Sequence, residues 1–149
     1  MEGQSIEVGL KSIVEHCERC GPYDGAYAFS QGTCLITLLS DQSVWRACGG
    51  SDAAFPPWRF VIFGCGTDYL LPLPETPVLT GQLSMPSLHV MGKLDSILEA
   101  SRSLARRFSS PVVLEHEGGH AIPMSLATPG HALPNQVKAF VRQKHSKQG

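Results

Sequence analysis

Apolar residues recur at three- and four-residue steps through Ile6, Leu10, Ile13, Val14 and Cys17. That is the period of one buried helix face, so a helix is expected over about residues 5–19. Gly21 and Pro22 stop it, glycine as a left-handed cap and proline because it cannot continue. Four later runs, 26–29, 58–63, 87–91 and 111–116, have strand length instead. The run 58–63, Trp-Arg-Phe-Val-Ile-Phe, is nearly continuous, as in strands covered on both faces. Residues 33–39 follow the first run directly and read as a helix. Leu94, Ile97, Leu98, Leu104, Ala105 and Phe108 mark an amphipathic helix over about residues 96–108. A last helix opens near Pro134, with Val137, Phe140 and Val141 inward and Lys138, Arg142, Lys144 and Lys147 outward. Residues 41–57 read as a loop around Gly49, Gly50, Pro56 and Pro57. Residues 64–86, with prolines at 72, 74, 77 and 86, read as a long connection suited to a lid or binding loop. Strands alternating with helices predict an α/β fold whose mostly parallel sheet is covered on both faces.

Length and charge narrow the function. A chain of 149 residues, 42% apolar and 17% charged, fits one domain, 1–149, with its own core. A net charge of -1 gives no electrostatic pull toward nucleic acid, and no basic patch carries interleaved aromatics. No apolar run reaches the length of a membrane span, and no basic-then-apolar leader opens the chain, so a cytoplasmic protein is expected. Five cysteines form an odd set without framework spacing, which favours reduced thiols. Cys17-Glu-Arg-Cys20 lies near a helix end rather than at a helix start after a strand, so it reads as packing plus one partly exposed thiol, not a redox pair.

The chemistry concentrates at strand ends. Ser30 stands between the first strand and its helix, with small Ala28 and Gly32 two positions to either side. That is the layout of a nucleophile elbow, G-x-S-x-G, with alanine in place of the first glycine. The turn lifts the hydroxyl clear and aims the Gln31 amide and the helix N-terminus at a developing oxyanion. Asp95 follows the third strand and His120 the fourth. Functional groups of such sheets sit beyond the C-terminal strand ends. The order Ser, Asp, His is that of α/β-hydrolases, with His120 as base and Asp95 holding its tautomer. Taken singly, Asp95 is also a plausible helix N-cap and Ser30 a small polar turn residue.

His116-Glu-Gly-Gly-His120 matches H-E-x-x-H, the zinc-protease signature. That chemistry needs both histidines on one helix face, and two consecutive glycines with Pro123 nearby argue against a helix. Leu126 stands where a third histidine belongs, and no carboxylate follows Glu117. No metal and no cofactor is therefore expected. His16, His89 and His131 read as structural or exposed, and Gly64-Cys-Gly66 lacks the third glycine of a dinucleotide loop.

Gly21-Pro-Tyr-Asp-Gly25 with Ala28-Phe-Ser-Gln-Gly32, Met85-Pro-Ser-Leu-His-Val-Met-Gly92 with Asp95, and His116-Glu-Gly-Gly-His-Ala-Ile-Pro123 together resemble the FSH-type serine hydrolases. This group has fungal and vertebrate members, the vertebrate branch being the nearer likeness. The resemblance covers about residues 5–145. It implies an α/β-hydrolase-type three-layer sandwich and cleavage of small carboxylic esters, with Ser30 as nucleophile, Asp95 as acid and His120 as base. Three departures stand out: Ala28 in the elbow, a short linker without proline after Asp95, and a start at Met1 just before the helix that precedes the elbow. Members of the family begin with a strand and loop that supply the second oxyanion donor. The expectation is thus an N-terminally truncated hydrolase with an incomplete oxyanion hole. One lost donor costs about 10²–10³ in turnover, so weak or no esterase activity is expected. The alternative is an impaired fragment acting by self-association through an exposed sheet edge.

Overall fold

The computed structural model of the protein describes residues 3–79, 81–122 and 132–146. Four strands, β1 (Gly25–Phe29), β2 (Phe60–Gly64), β3 (Ser87–Gly92) and β4 (Pro111–His116), form one sheet in the order β1-β2-β3-β4, every pair parallel. Among the described residues, five α-helices accompany them: α1 (Gly3–Cys20), α2 (Gly32–Leu39), α3 (Gln42–Ala47), α4 (Leu98–Ala105) and α5 (Ala132–Ser146). Parallel strands lying beside their sequence neighbours bring all four C-terminal ends to one rim.

Alternation along β2 divides the core in two. Val61 and Phe63 face a large cluster with Leu10 and Val14 of α1, Leu38 and Leu39 of α2, Trp45 of α3 and Leu104 of α4. Phe60 and Ile62 face the other way, toward Leu88, Val90 and the α5 residues Val137, Phe140 and Val141. Phe60 and Phe140 meet edge to face with centroids 5.8 Å apart, a geometry that suits the ring quadrupoles. Helices on both sides of a parallel sheet make three layers, as the strand and helix pattern predicts. Among the described residues no helix is long and apolar enough to cross a membrane.

The expected helix in the first twenty residues is present, and Ile6, Leu10, Val14 and Cys17 form its buried face. Its stop works differently from a left-handed cap. Gly21 is not among the positive-φ glycines; a Cβ there would stand 2.6 Å from the Cys17 carbonyl oxygen, to which the Gly21 amide donates at 2.8 Å. Close backbone approach, not handedness, calls for glycine. Cys17 is buried and Cys20 exposed, and none of the five cysteines is disulfide-bonded. Pro134 falls inside α5 rather than at its start, and His131 and Pro123 lie outside the described residues.

Residues 41–57 are more ordered than their glycines and prolines suggest. Asp41 caps α3, its Oδ1 accepting from the amides of Ser43 (2.8 Å) and Val44 (3.2 Å). Trp45 is wholly buried, and its indole N–H donates to the Ser51 carbonyl at 2.9 Å. A Cβ on Gly50 would come within 2.2 Å of that indole, so this glycine is a packing residue. Among its described residues the connection between β2 and β3 contains no helix, yet it is tied down. Thr76 Oγ1 donates to the Leu70 carbonyl at 2.7 Å, and Leu83 bridges to Phe108. Phe108 is buried beyond the end of α4, which explains why apolar spacing extends that helix too far. Leu94 is 78% exposed in the turn before the helix, not on its inner face.

His89 lies mid-strand in β3 and is 2% exposed, between the rings of Phe63 and Phe108, with Nε2 3.0 Å from Ser87 Oγ. Burial pushes its pKa down to about 4. Unfolded, the ring titrates near 6.5, so between about 4 and 6.5 the unfolded chain binds the extra proton and stability rises with pH. Acidification across that window should remove on the order of 3 kcal/mol. Urea unfolding at a series of pH values should show this slope, and His89→Gln should flatten it; an unchanged slope would remove His89 as its source.

Candidate active site

Ser30 follows β1 directly and is, among the described residues, one of two non-glycine residues with positive φ, at 54°. Such a backbone costs on the order of 1–3 kcal/mol and persists only where the surroundings impose it. Here the Ser30 amide donates to the Gly64 carbonyl (3.0 Å), while the Ser30 carbonyl accepts from the Thr33 amide (3.1 Å) and Thr33 Oγ1 (2.6 Å). This turn has room for Ala28: even a Cβ on Gly32 would meet the Ala28 methyl at 3.9 Å, an ordinary contact. Gln31, at φ -61° and ψ -28°, opens α2, so its amide belongs to the first turn, where N–H groups lack partners within the helix.

Asp95 stands in the turn between β3 and α4 with its side chain fully buried. Its two oxygens divide the two roles the sequence suggests. Oδ1 accepts from the Ile97 amide at 3.0 Å, the cap-like contact, and Oδ2 lies 2.8 Å from His120 Nδ1. Burial pushes this carboxyl up, but the Ile97 amide, the His120 ring and its charge, and the Cys65 thiol together outweigh that and hold it below the ordinary aspartate value. It is therefore ionised at neutral pH and can only accept. Nδ1 must carry the imidazole proton, which leaves the Nε2 lone pair free. That nitrogen lies 3.1 Å from Ser30 Oγ. Hydroxyl, imidazole and carboxylate thus form one continuous hydrogen-bonded chain across 90 residues of sequence.

The loop after β4 is held from several sides. The amides of Lys93 and Leu94 donate to the carbonyls of His116 (2.9 Å) and Gly118 (3.0 Å). Lys93 Nζ pairs with Glu117 at 2.5 Å, and His116 Nδ1 accepts from the Gly118 amide at 3.1 Å. The tightest contact involves Gly92: a Cβ there would stand 2.2 Å from the Gly119 carbonyl oxygen and 2.5 Å from that of Gly118. On the other side the Phe29 ring lies 5.1 Å from the His120 imidazole, centroid to centroid.

The three side chains singled out from sequence, Ser30, Asp95 and His120, come together. His116 does not join them through a shared helix: it ends β4, and His120 lies in the turn beyond. Sequence reasoning missed Gly92 and Cys65. Gly92 was hidden because close approach of a distant loop leaves no local signal. Cys65, wholly buried, has its Sγ 3.7 Å from the Ala121 carbonyl oxygen and 3.9 Å from that of Gly119. Burial, then the charge and hydrogen bond of Asp95, push its thiol up to about 11. A cleft of about 820 Å³ lies at the opposite rim, lined by residues such as Cys17, Tyr23, Trp58, Arg59 and Pro86; Ser30, Asp95 and His120 take no part in it.

Comparisons with known proteins identify relatives of the chain. The sequence model of a family described as "Serine hydrolase (FSH1)" matches residues 1–132. The chain is 40% identical over 124 residues to "Esterase OVCA2" of Bos taurus, covering 80% of this chain and 52% of that protein. It is 34% identical over 123 residues to the Homo sapiens "Esterase OVCA2", covering 80% and 52%. It is also 34% identical over 127 residues to "Hydrolase phiM" of a fungal species, covering 80% and 59%. The chain spans about half the length of the curated relatives it matches. No solved structure matches it. With an α/β-hydrolase-type sheet and a family match over most of its length, the chain belongs to the FSH1 serine hydrolase family.

Proposed function

We propose that the protein is a serine carboxylesterase in which Ser30 attacks the ester carbonyl, His120 is the general base and acid, and Asp95 orients the imidazole. The observation that carries this reading is the unbroken chain from Ser30 Oγ to His120 Nε2 (3.1 Å) and from Nδ1 to Asp95 (2.8 Å). His120 takes the hydroxyl proton as Oγ bonds to the carbonyl carbon, and Asp95 stabilises the imidazolium. The tetrahedral oxyanion forms beside the Gln31 amide at the positive end of α2. The proton then passes from Nε2 to the departing alcohol, leaving an acyl group on Ser30. A water molecule, deprotonated by the same nitrogen, releases the acid and restores the serine. The two relatives named "Esterase OVCA2" support a carboxylic ester as the substrate class.

A second reading, in which the chain has little turnover and acts by self-association, draws on the edge position of β1. Among the described strands β1 is paired on one side only, and its Tyr27 and Phe29 remain 61% and 38% exposed. A fluorophosphonate probe separates the two. Labelling of Ser30, with hydrolysis of short p-nitrophenyl esters abolished in Ser30→Ala, is expected from the esterase. An unlabelled, folded dimer would favour association instead.

Asp95→Asn should lower kcat by roughly 10⁴-fold with little change in KM, because the amide stabilises the wrong imidazole tautomer. A kcat within a few-fold of the parent enzyme would sink the role given to Asp95. Gly92→Ala tests the loop. A methyl group there must move the carbonyls of Gly118 and Gly119, and a displacement of about 1 Å at the base costs on the order of 10² in rate. Ester hydrolysis should fall by that amount while the unfolding transition persists; full activity would show that the loop yields freely.

A further inference from the structure

The proposed reaction makes no use of Cys65, yet its placement is specific. It follows β2 as Asp95 follows β3 and His120 follows β4. The Cys65 sulfur, a carboxylate oxygen of Asp95 and a ring nitrogen of His120 all lie within 4.8 Å of one another. Cys65 is wholly buried and the Asp95 side chain fully so, while the His120 side chain is 39% exposed and leaves the cluster open toward solvent. Cys65 also has φ 44°, a backbone that glycine adopts without penalty and cysteine does not. Thiolate, imidazole and carboxylate are the three donor types that zinc accepts.

We propose that Cys65, Asp95 and His120 form a binding site for a zinc ion, and that its occupation silences Ser30. Tetrahedral zinc holds such donors roughly 3.3–3.6 Å apart, given metal–ligand bonds of about 2.0–2.3 Å. From at most 4.8 Å, the cluster therefore needs to draw in by no more than about 1.5 Å at its widest, and the His120–Asp95 pair needs to open slightly. The charges balance: one thiolate and one carboxylate neutralise a divalent ion, so the buried site carries no net charge. Zinc would bond to Sγ, to Nδ1 and to the Asp95 oxygen now occupied by the Nδ1 proton, with water as the fourth ligand. The thiol proton leaves to solvent. The imidazole stays neutral, its proton moving from Nδ1 to Nε2 by way of solvent. With Nε2 protonated, His120 can only donate toward Ser30 Oγ and cannot take its proton. The site differs from the H-E-x-x-H arrangement, since His116 takes no part in it.

Binding rests on the cluster geometry alone, whereas silencing rests on the esterase reading above. The test uses the full chain carrying Cys20→Ser, which removes the exposed thiol of the C-x-x-C. Cobalt(II) serves as the spectroscopic probe and zinc is measured by calorimetry. The expected result is one ion per chain with a thiolate-to-cobalt charge-transfer band, lost in both Cys65→Gly and Cys65→Ser. Cys65→Gly suits the positive φ and keeps the test valid if the serine variant folds poorly. Zinc affinity should fall in both by more than the roughly 10–100-fold that loss of an outer hydrogen-bonding partner costs. Zinc should also suppress ester hydrolysis and fluorophosphonate labelling in the parent, reversibly with a chelator, but not the activity that remains in the Cys65 variants. A band that survives in both variants, or a parent chain that binds no ion, overturns the site. A parent that shows the Cys65-dependent band but never labels upholds the site and overturns the esterase reading. Labelling that zinc leaves untouched despite the band overturns the silencing.

Discussion

The parallel pairing of β3 with β4, Gly92 opposite His116, carries the loop of residues 117–122 back over the rim of the sheet. From there the Lys93 and Leu94 amides continue the contact to the His116 and Gly118 carbonyls. The turn that presents Asp95 and the turn that presents His120 are thus bound to each other before their side chains meet. Gly92 makes this possible by leaving space for two carbonyl oxygens where any side chain would intrude. Ser30 is tied to the same rim through the Gly64 carbonyl, so β2 sets the third point of the triangle. A set of backbone hydrogen bonds, rather than the side chains themselves, determines the distances across which a proton would pass.

Two residues at this rim hold a backbone shape that their side chains disfavour, Ser30 and Cys65. Both directly follow strands, β1 and β2, where the chain must turn sharply off the sheet. Elsewhere along the chain glycine is used where space runs out, as at Gly21, Gly50 and Gly92. Retaining a hydroxyl and a thiol at these two turns sets chemistry against conformational ease, which is the usual location for strain in proteins. Asp95 shows a related compromise. Its carboxylate is buried, an unfavourable placement on its own, and stays ionised only because the Ile97 amide and the His120 ring face it.

Much of this was legible in the chain itself, because it depends on local pattern. The four strands are short apolar runs, and the three candidate residues stand just past three of them in a recognisable order. The short helix that Asp41 caps reads as loop instead, because the nearby Gly49, Gly50, Pro56 and Pro57 dominate the local pattern. The rest was not legible, for physical reasons. Gly92 and Cys65 matter through atoms some 25 to 55 residues away along the chain (Gly92 to Gly118 and Gly119, Cys65 to Gly119 and Ala121). Phe108 keeps a helical apolar period beyond the end of α4 because it packs into the same core by a different route.

The connection between β2 and β3 takes the place that a crossover helix fills in many parallel sheets. Its order comes from Leu70, Thr76 and Leu83, all buried, which hold it at separate points. A helix frays gradually from its ends, since each residue adds one rung. A strap pinned at a few points behaves otherwise: freeing one anchor slackens the whole span between its neighbours. Solvent would then reach the flank of β2 in a single step, on the side of the sheet opposite α5.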